Sequence, residues 1–126
     1  MDYRIKEIVT DIESNPRQVQ TVKKLAKSVN VSVSYFQHLF KQETNFSFKQ
    51  YVKKTRLEKA RVFLETTHLR VKEIRAKVGA TNETHFLRCF KQKFGRTPNE
   101  YRKFFRSNDN AAQISEQLPT TETIRK

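Results

Sequence analysis

An internal repeat constrains this chain more than any other feature. Phe36, Phe40, Lys41, Gln42, Ser47 and Tyr51 recur fifty residues later as Phe86, Phe90, Lys91, Gln92, Thr97 and Tyr101. Upstream the offset is forty-nine, pairing Leu25 with Ile74, Val29 with Val78 and Asn30 with Gly79. One extra residue in the second turn accounts for the shift. The apolar residues in both copies follow the spacing of helices with one buried face. Each copy reads as short helix, tight turn, second helix, which is a helix-turn-helix. Gly 2 and Pro 3 in 126 residues leave little turn chemistry for a β-sandwich or barrel, and none for a Gly-rich phosphate loop. The expected fold is all-α: two helix-turn-helix units joined by a long spacer helix, about seven helices in all.

Local signals place the elements. Ile5, Ile8, Val9 and Ile12 mark a first helix, which Asn15-Pro16 ends. Thr21 caps a short helix and Ser32 caps the next. Ser47 and Gln50 form a capping box, and Phe46 and Tyr51 a hydrophobic staple, at the start of a helix expected to reach Thr66. Its stripe is Phe48, Tyr51, Val52, Ala60, Phe63 and Leu64; Leu57 lies off it, so a second side is expected to pack. Thr97-Pro98-Asn99-Glu100 opens the last helix, anchored by Tyr101 and by Phe104 or Phe105. The expected organisation is therefore a first unit over 1–46, a spacer helix over 47–66, a second unit over 67–106 and a flexible tail over 107–126.

Charge gives the first functional signal. Lys+Arg 26 against Asp+Glu 13 gives +13, and residues 107–126 carry −1, so residues 1–106 carry +14. A folded segment this basic points to a polyanion partner, nucleic acid first. No stretch is apolar enough for a membrane span, and Met1-Asp2-Tyr3-Arg4 does not open a secretory signal. The single cysteine, Cys89, forms no internal disulfide and fits a reducing cytoplasm.

The helical wheel adds the chemistry. Opposite Phe36, Leu39 and Phe40 lie Ser34, Gln37, His38 and Lys41; the matching face of the second unit is Thr84, Leu87, Arg88 and Lys91. Gln pairs bidentately with adenine and Arg with guanine, while Thr and Leu meet a thymine methyl. Leu87, apolar on a face turned from the core, adds weight to a contact reading over a merely solvated face. A spacer of about twenty residues spans ~30 Å, close to the ~34–36 Å between successive major-groove faces. Lys49, Lys53, Lys54, Arg56, Lys59 and Arg61 make it basic, a run whose default meaning is a solvated face; any contact Lys53 and Lys54 make with DNA is expected to be with phosphate only.

With the repeat, the spacer and the closing run Phe90-Lys91-Gln92-Lys93-Phe94-Gly95-Arg96-Thr97-Pro98-Asn99-Glu100-Tyr101-Arg102, the chain resembles the AraC/XylS family of bacterial transcription regulators. Leu25-Ala26, Ser32, Phe40-Lys41, Tyr51, Arg56-Leu57 and Ala60-Arg61 also fit that pattern, and the match covers roughly residues 3–105. The resemblance implies that Ser32–Thr44 and Asn82–Phe94 enter consecutive major grooves. It implies base contacts from Ser34, Gln37, His38, Lys41, Glu83, Thr84, Leu87 and Arg88, and phosphate contacts from Ser32, Tyr35, Thr81, Asn82 and Lys91. It further implies promoter binding, activation through bacterial RNA polymerase, and either a MarA/SoxS-like single-domain form or the C-terminal half of a larger regulator. The direct repeat implies one chain on one asymmetric site. Two departures stand out: Arg75 replaces an Ala, so a long cation must snorkel outward, and Gly79-Ala80 replaces Gly-Phe, so looser packing is expected in the second unit.

No enzyme is expected. His85 and Cys89 lie one helical turn apart, but Cys89 repeats the core residue Leu39, and only His38 and His68 remain as further imidazoles. No metal site or cofactor follows. The competing reading is a basic helical adaptor that docks on polymerase without reading sequence. RNA binding lacks the stacking sheet of common RNA modules.

Overall fold

The computed structural model describes the backbone of residues 1–116 and the side chains of residues 1–107. Among the described residues every regular element is helical: α1 Tyr3–Ser14, a 3-10 turn Pro16–Gln18, α2 Val22–Ser28, α3 Val33–Thr44, α4 Phe48–Thr66, α5 Val71–Val78, α6 Glu83–Phe94 and α7 Pro98–Glu116. The last helix thus runs past Phe105, beyond the end expected from its anchors. Residues 117–126 of the expected tail lie outside the described residues.

The helices begin where capping chemistry puts them. Ser47 Oγ accepts from Gln50 N at 3.1 Å while Gln50 Oε1 accepts from Ser47 N at 3.0 Å. Thr97 and Glu100 repeat the box at 3.2 and 3.0 Å. The staple forms too, with the Phe46 and Tyr51 rings 6.3 Å apart. Removing the cap, Ser47→Ala, is expected to cost about 1 kcal/mol, read as a lower denaturation midpoint at constant m.

Both tight turns use a left-handed residue, Asn30 at φ 61° and Gly79 at φ 83°. In both, the next amide reaches five residues back, Val31 N to Ala26 O at 3.0 Å and Ala80 N to Arg75 O at 2.9 Å, which closes the orphan carbonyls of the preceding helix. Ala26 is buried at the first helix crossing. Arg75, its counterpart, does not snorkel into water. It folds over the turn, and Nη1 donates to Ala80 O at 3.2 Å and Thr81 O at 3.3 Å.

Two cores result. The first gathers Ile5, Ile8, Ile12, Ala26, Phe36, Leu39, Phe40, Phe48, Tyr51 and Val52. The second gathers Leu57, Ala60, Leu64, Ile74, Val78, Phe86, Cys89 and Phe90. Ile5, Ile8 and Ile12 sit fifty-two residues before Leu57, Ala60 and Leu64. The repeat therefore extends into the first helix, and α4 serves twice: its start closes unit one, as α7 closes unit two, and its end opens unit two, as α1 opens unit one. Tyr51 OH donates to Glu13, and Tyr101 OH to Glu65, completing the same correspondence. Burial, then the Glu13 hydrogen bond, pushes the Tyr51 phenol up to about 12.

The aromatic packing differs between units. Phe40 meets the Phe48 and Tyr51 rings at 5.4 and 5.6 Å. In unit two the counterpart of Phe48 is Pro98, and Phe94, from the end of α6, supplies the missing ring at 4.6 Å from Phe90. The centre of unit two is not loosened: Ile74, Val78 and Phe90 are at most 1% exposed.

Candidate nucleic-acid interface

The second helix of each unit is anchored on one side and free on the other. Phe36, Leu39 and Phe40 bury one face of α3, and Phe86, Cys89 and Phe90 bury the matching face of α6. Steric closure at those positions leaves Ser34, Gln37, His38 and Lys41 exposed on α3, and Glu83, Thr84, Arg88 and Lys91 exposed on α6. Leu87 departs from this. It is half-buried and packs against the second core, so its apolar character needs no outside contact. A 100° step from Phe86 places it at the edge of the buried face, which the wheel read as the free one.

The start of each helix offers donors. Ser32 Oγ accepts from Tyr35 N at 3.0 Å, and Asn82 Oδ1 accepts from His85 N at 2.9 Å. Each cap spends an acceptor, so the Ser32 hydroxyl proton and the Asn82 amide protons remain for an anion. Tyr35 and Thr81 are exposed beside them. A helix N-terminus with its free amides also favours a phosphate there.

The basic residues of α4 do not form one face. Arg56 Nε donates to Pro16 O at 3.0 Å, and burial holds its guanidinium below the ordinary arginine value. Arg61 pairs with Glu65 at 2.7 Å and Glu58 at 3.3 Å. Lys54 Nζ lies over the Phe46 and Tyr51 rings, 5.5 and 5.2 Å from their centroids. Lys49 and Lys53 stay exposed and line the groove between the two units with Val22, Arg56, Ala80 and His85. The two neighbouring lysines differ: Lys53 faces outward, whereas Lys54 rests over the rings. Sequence reasoning also missed that Arg56 is an internal fastener. The available signal was Arg106, fifty residues on, which donates to Thr67 O at 2.8 Å at the end of α4.

The His85–Cys89 pair is structural in placement. Cys89 is 7% exposed, as is Leu39, with Sγ 3.5 Å from His85 Nε2. No group of three metal-ligating side chains occurs among the described residues, and no described helix is long and apolar enough to cross a membrane.

The comparisons agree with this geometry. The chain matches the helix-turn-helix domain family over residues 25–103. The Msm operon regulatory protein of Streptococcus mutans is 34% identical over 87 residues, which are 69% of this chain and 31% of that protein. A solved transcriptional regulator from Chromobacterium violaceum, described as of the AraC-type DNA-binding domain, is 28% identical with a TM-score of 0.70, over 79% of this chain and 89% of that one. The DNA-binding domain of AdpA, a global transcriptional factor solved with a target DNA, is 23% identical and shares the fold at a TM-score of 0.78, over 83% and 95% of the two chains. The chain spans about a third of the length of the curated relatives it matches. With two such units in one frame and a family match over most of its length, the chain belongs to the AraC-type helix-turn-helix family of DNA-binding transcription regulators.

Proposed function

We propose that this chain reads one asymmetric promoter site as a monomer, with α3 and α6 in consecutive major grooves. The observation that carries this is the pair of exposed polar faces, Ser34, Gln37, His38 and Lys41 on α3 and Thr84, Arg88 and Lys91 on α6, on helices locked by buried aromatics. The two faces differ in chemistry, so the two half-elements differ in sequence. Gln37, His38 and Arg88 reach base edges; Ser32, Tyr35, Thr81, Asn82 and Lys91 hold the backbone. Lys49 and Lys53 face the duplex between the two insertions and add phosphate contacts. Leu87 serves the core first, and Glu83 flanks the α6 insertion. Residues 1–46, 47–66 and 67–106 act as first unit, spacer and second unit. The transcriptional outcome is activation through contact with RNA polymerase in the cytoplasm, supported by the resemblance to activators of this family.

Selection of bound sequences from random DNA, followed by footprinting, tests the reading. An asymmetric site spanning about two turns, bound 1:1 in analytical ultracentrifugation, is expected; an obligatory 2:1 complex on a palindrome overturns it. On the selected duplex, Arg88→Ala is expected to cost about 1–3 kcal/mol and to relax preference at one base pair. Equal loss on a scrambled duplex, with only the salt slope changed, would make Arg88 a backbone contact.

A further inference from the structure

The same left-handed turn carries Asn in one unit and Gly in the other, and conformation does not explain the difference. Asn30 holds φ 61° and Asn45 holds φ 69° in unit one; Gly79 and Gly95 hold φ 83° and 82° at the matching places in unit two. Asn tolerates this region, so Gly is not required for the turn itself. The surroundings separate the two glycines. A Cβ on Gly95 would meet nothing within 4 Å. A Cβ on Gly79 would lie 2.9 Å from Arg17 Cα, 3.3 Å from Arg17 O and 3.3 Å from Arg56 Nε. Arg17 belongs to the 3-10 turn of unit one, and Pro16, before it, is buried and accepts the Arg56 Nε hydrogen bond. The backbone of one unit therefore rests on the turn of the other, with an α4 guanidinium closing the contact.

We propose that Gly79, the Pro16-Arg17 backbone and Arg56 form a joint that sets how far apart, and at what angle, α3 and α6 are presented. Gly79 and Arg56 are positioning residues: they act on DNA only through the two helices they hold. The proposal rests on the DNA reading above for its consequence, that the joint selects the spacing of the two half-elements, but not for its geometry. A rigid frame lets the second helix bind at the high effective concentration set by the first, and a loosened one forfeits that gain.

The test pairs two substitutions that share a backbone cost and differ in contact: Gly79→Asn and Gly95→Asn. In a Cys89→Ala background, spin labels are placed on the exposed residues Gln42 and Gln92, and the distance distribution is read by pulsed electron resonance on the full chain. The expected result is one narrow distribution for the parent and for Gly95→Asn, and a shifted, broadened one for Gly79→Asn. Arg56→Met, which leaves the turn untouched and has no donor for Pro16 O, is expected to broaden it too. On the selected DNA site, Gly79→Asn is expected to bind roughly tenfold or more weakly, while affinity for a duplex with only the first half-element stays unchanged. If Gly79→Asn matches Gly95→Asn in distance and affinity, the joint does not exist. If Gly79→Asn fails to fold, Arg56→Met decides, and an unchanged distribution overturns the proposal. A shifted distribution with unchanged binding to every duplex leaves the joint standing and removes the DNA reading instead.

Discussion

Phe90→Ala is expected to destabilise the protein by about 3–5 kcal/mol. Phe90 is fully buried and touches three rings: Phe86 at 5.9 Å, Phe94 at 4.6 Å and Tyr101 at 5.8 Å. Truncation removes the transfer energy of the ring and leaves a cavity that three aromatics on three sides cannot close. It also removes ring–ring terms of about 0.5–1.5 kcal/mol each. Small domains hold only about 5–15 kcal/mol in total, so the variant is expected to melt at a temperature well below the parent's. Because α4 threads both cores, the transition is expected to stay coupled: helical circular dichroism and the tyrosine signal of Tyr51 in unit one should fall together. Loss of unit two with unit one untouched would show the halves to be independent.

Glu65→Ala is expected to cost about 1.5–3 kcal/mol, the range for removing a hydrogen bond to a charged group. The Glu65 side chain is 16% exposed. It accepts from Arg61 Nη1 at 2.7 Å and from the Tyr101 hydroxyl, so removal leaves the guanidinium with Glu58 alone and the phenol without its acceptor. Glu65→Gln restores an acceptor for Tyr101 but not the charge, and is expected to recover part of the loss. Chemical denaturation of the two variants separates the terms. Equal midpoints for Gln and Ala would show that only the charge mattered.

The helix-turn-helix units were legible in the sequence because their signals are local. Thr21, Ser32, Ser47 and Thr97 announce helix starts through hydrogen bonds made within three residues, and Phe36/Phe40 and Phe86/Phe90 announce buried faces through periodicity alone. The off-stripe Leu57 correctly signalled a second packed side, for it lies in the second core. What escaped was non-local. Arg75 looked like a misplaced cation because its acceptors are turn carbonyls five and six residues away. Arg56 and Lys54 looked like surface charge because a composition count cannot see Pro16 O or the Phe46 ring. Leu87 looked free because a wheel has no neighbouring helix to cover its edge. The candidate interface was legible to the same extent: the polar faces of α3 and α6 are read from spacing, whereas the division of α4's basic residues into fasteners and free charges needs three dimensions.

One helix closing one core and opening the next turns its length into a phase setting. Tyr51 and Val52 point into the first core and Leu57, Ala60 and Leu64 into the second, with no irregular backbone between them to absorb a change. One residue added near Thr55 would rotate everything downstream by about 100° and advance it by about 1.5 Å. The turn at Gly79 would then leave the Arg17 backbone, and α6 would point away from the side on which α3 lies. Length variation therefore belongs in the non-helical links, such as residues 67–70, and α4 behaves as an indexed shaft whose residue count is as much a part of recognition as the side chains that meet the bases.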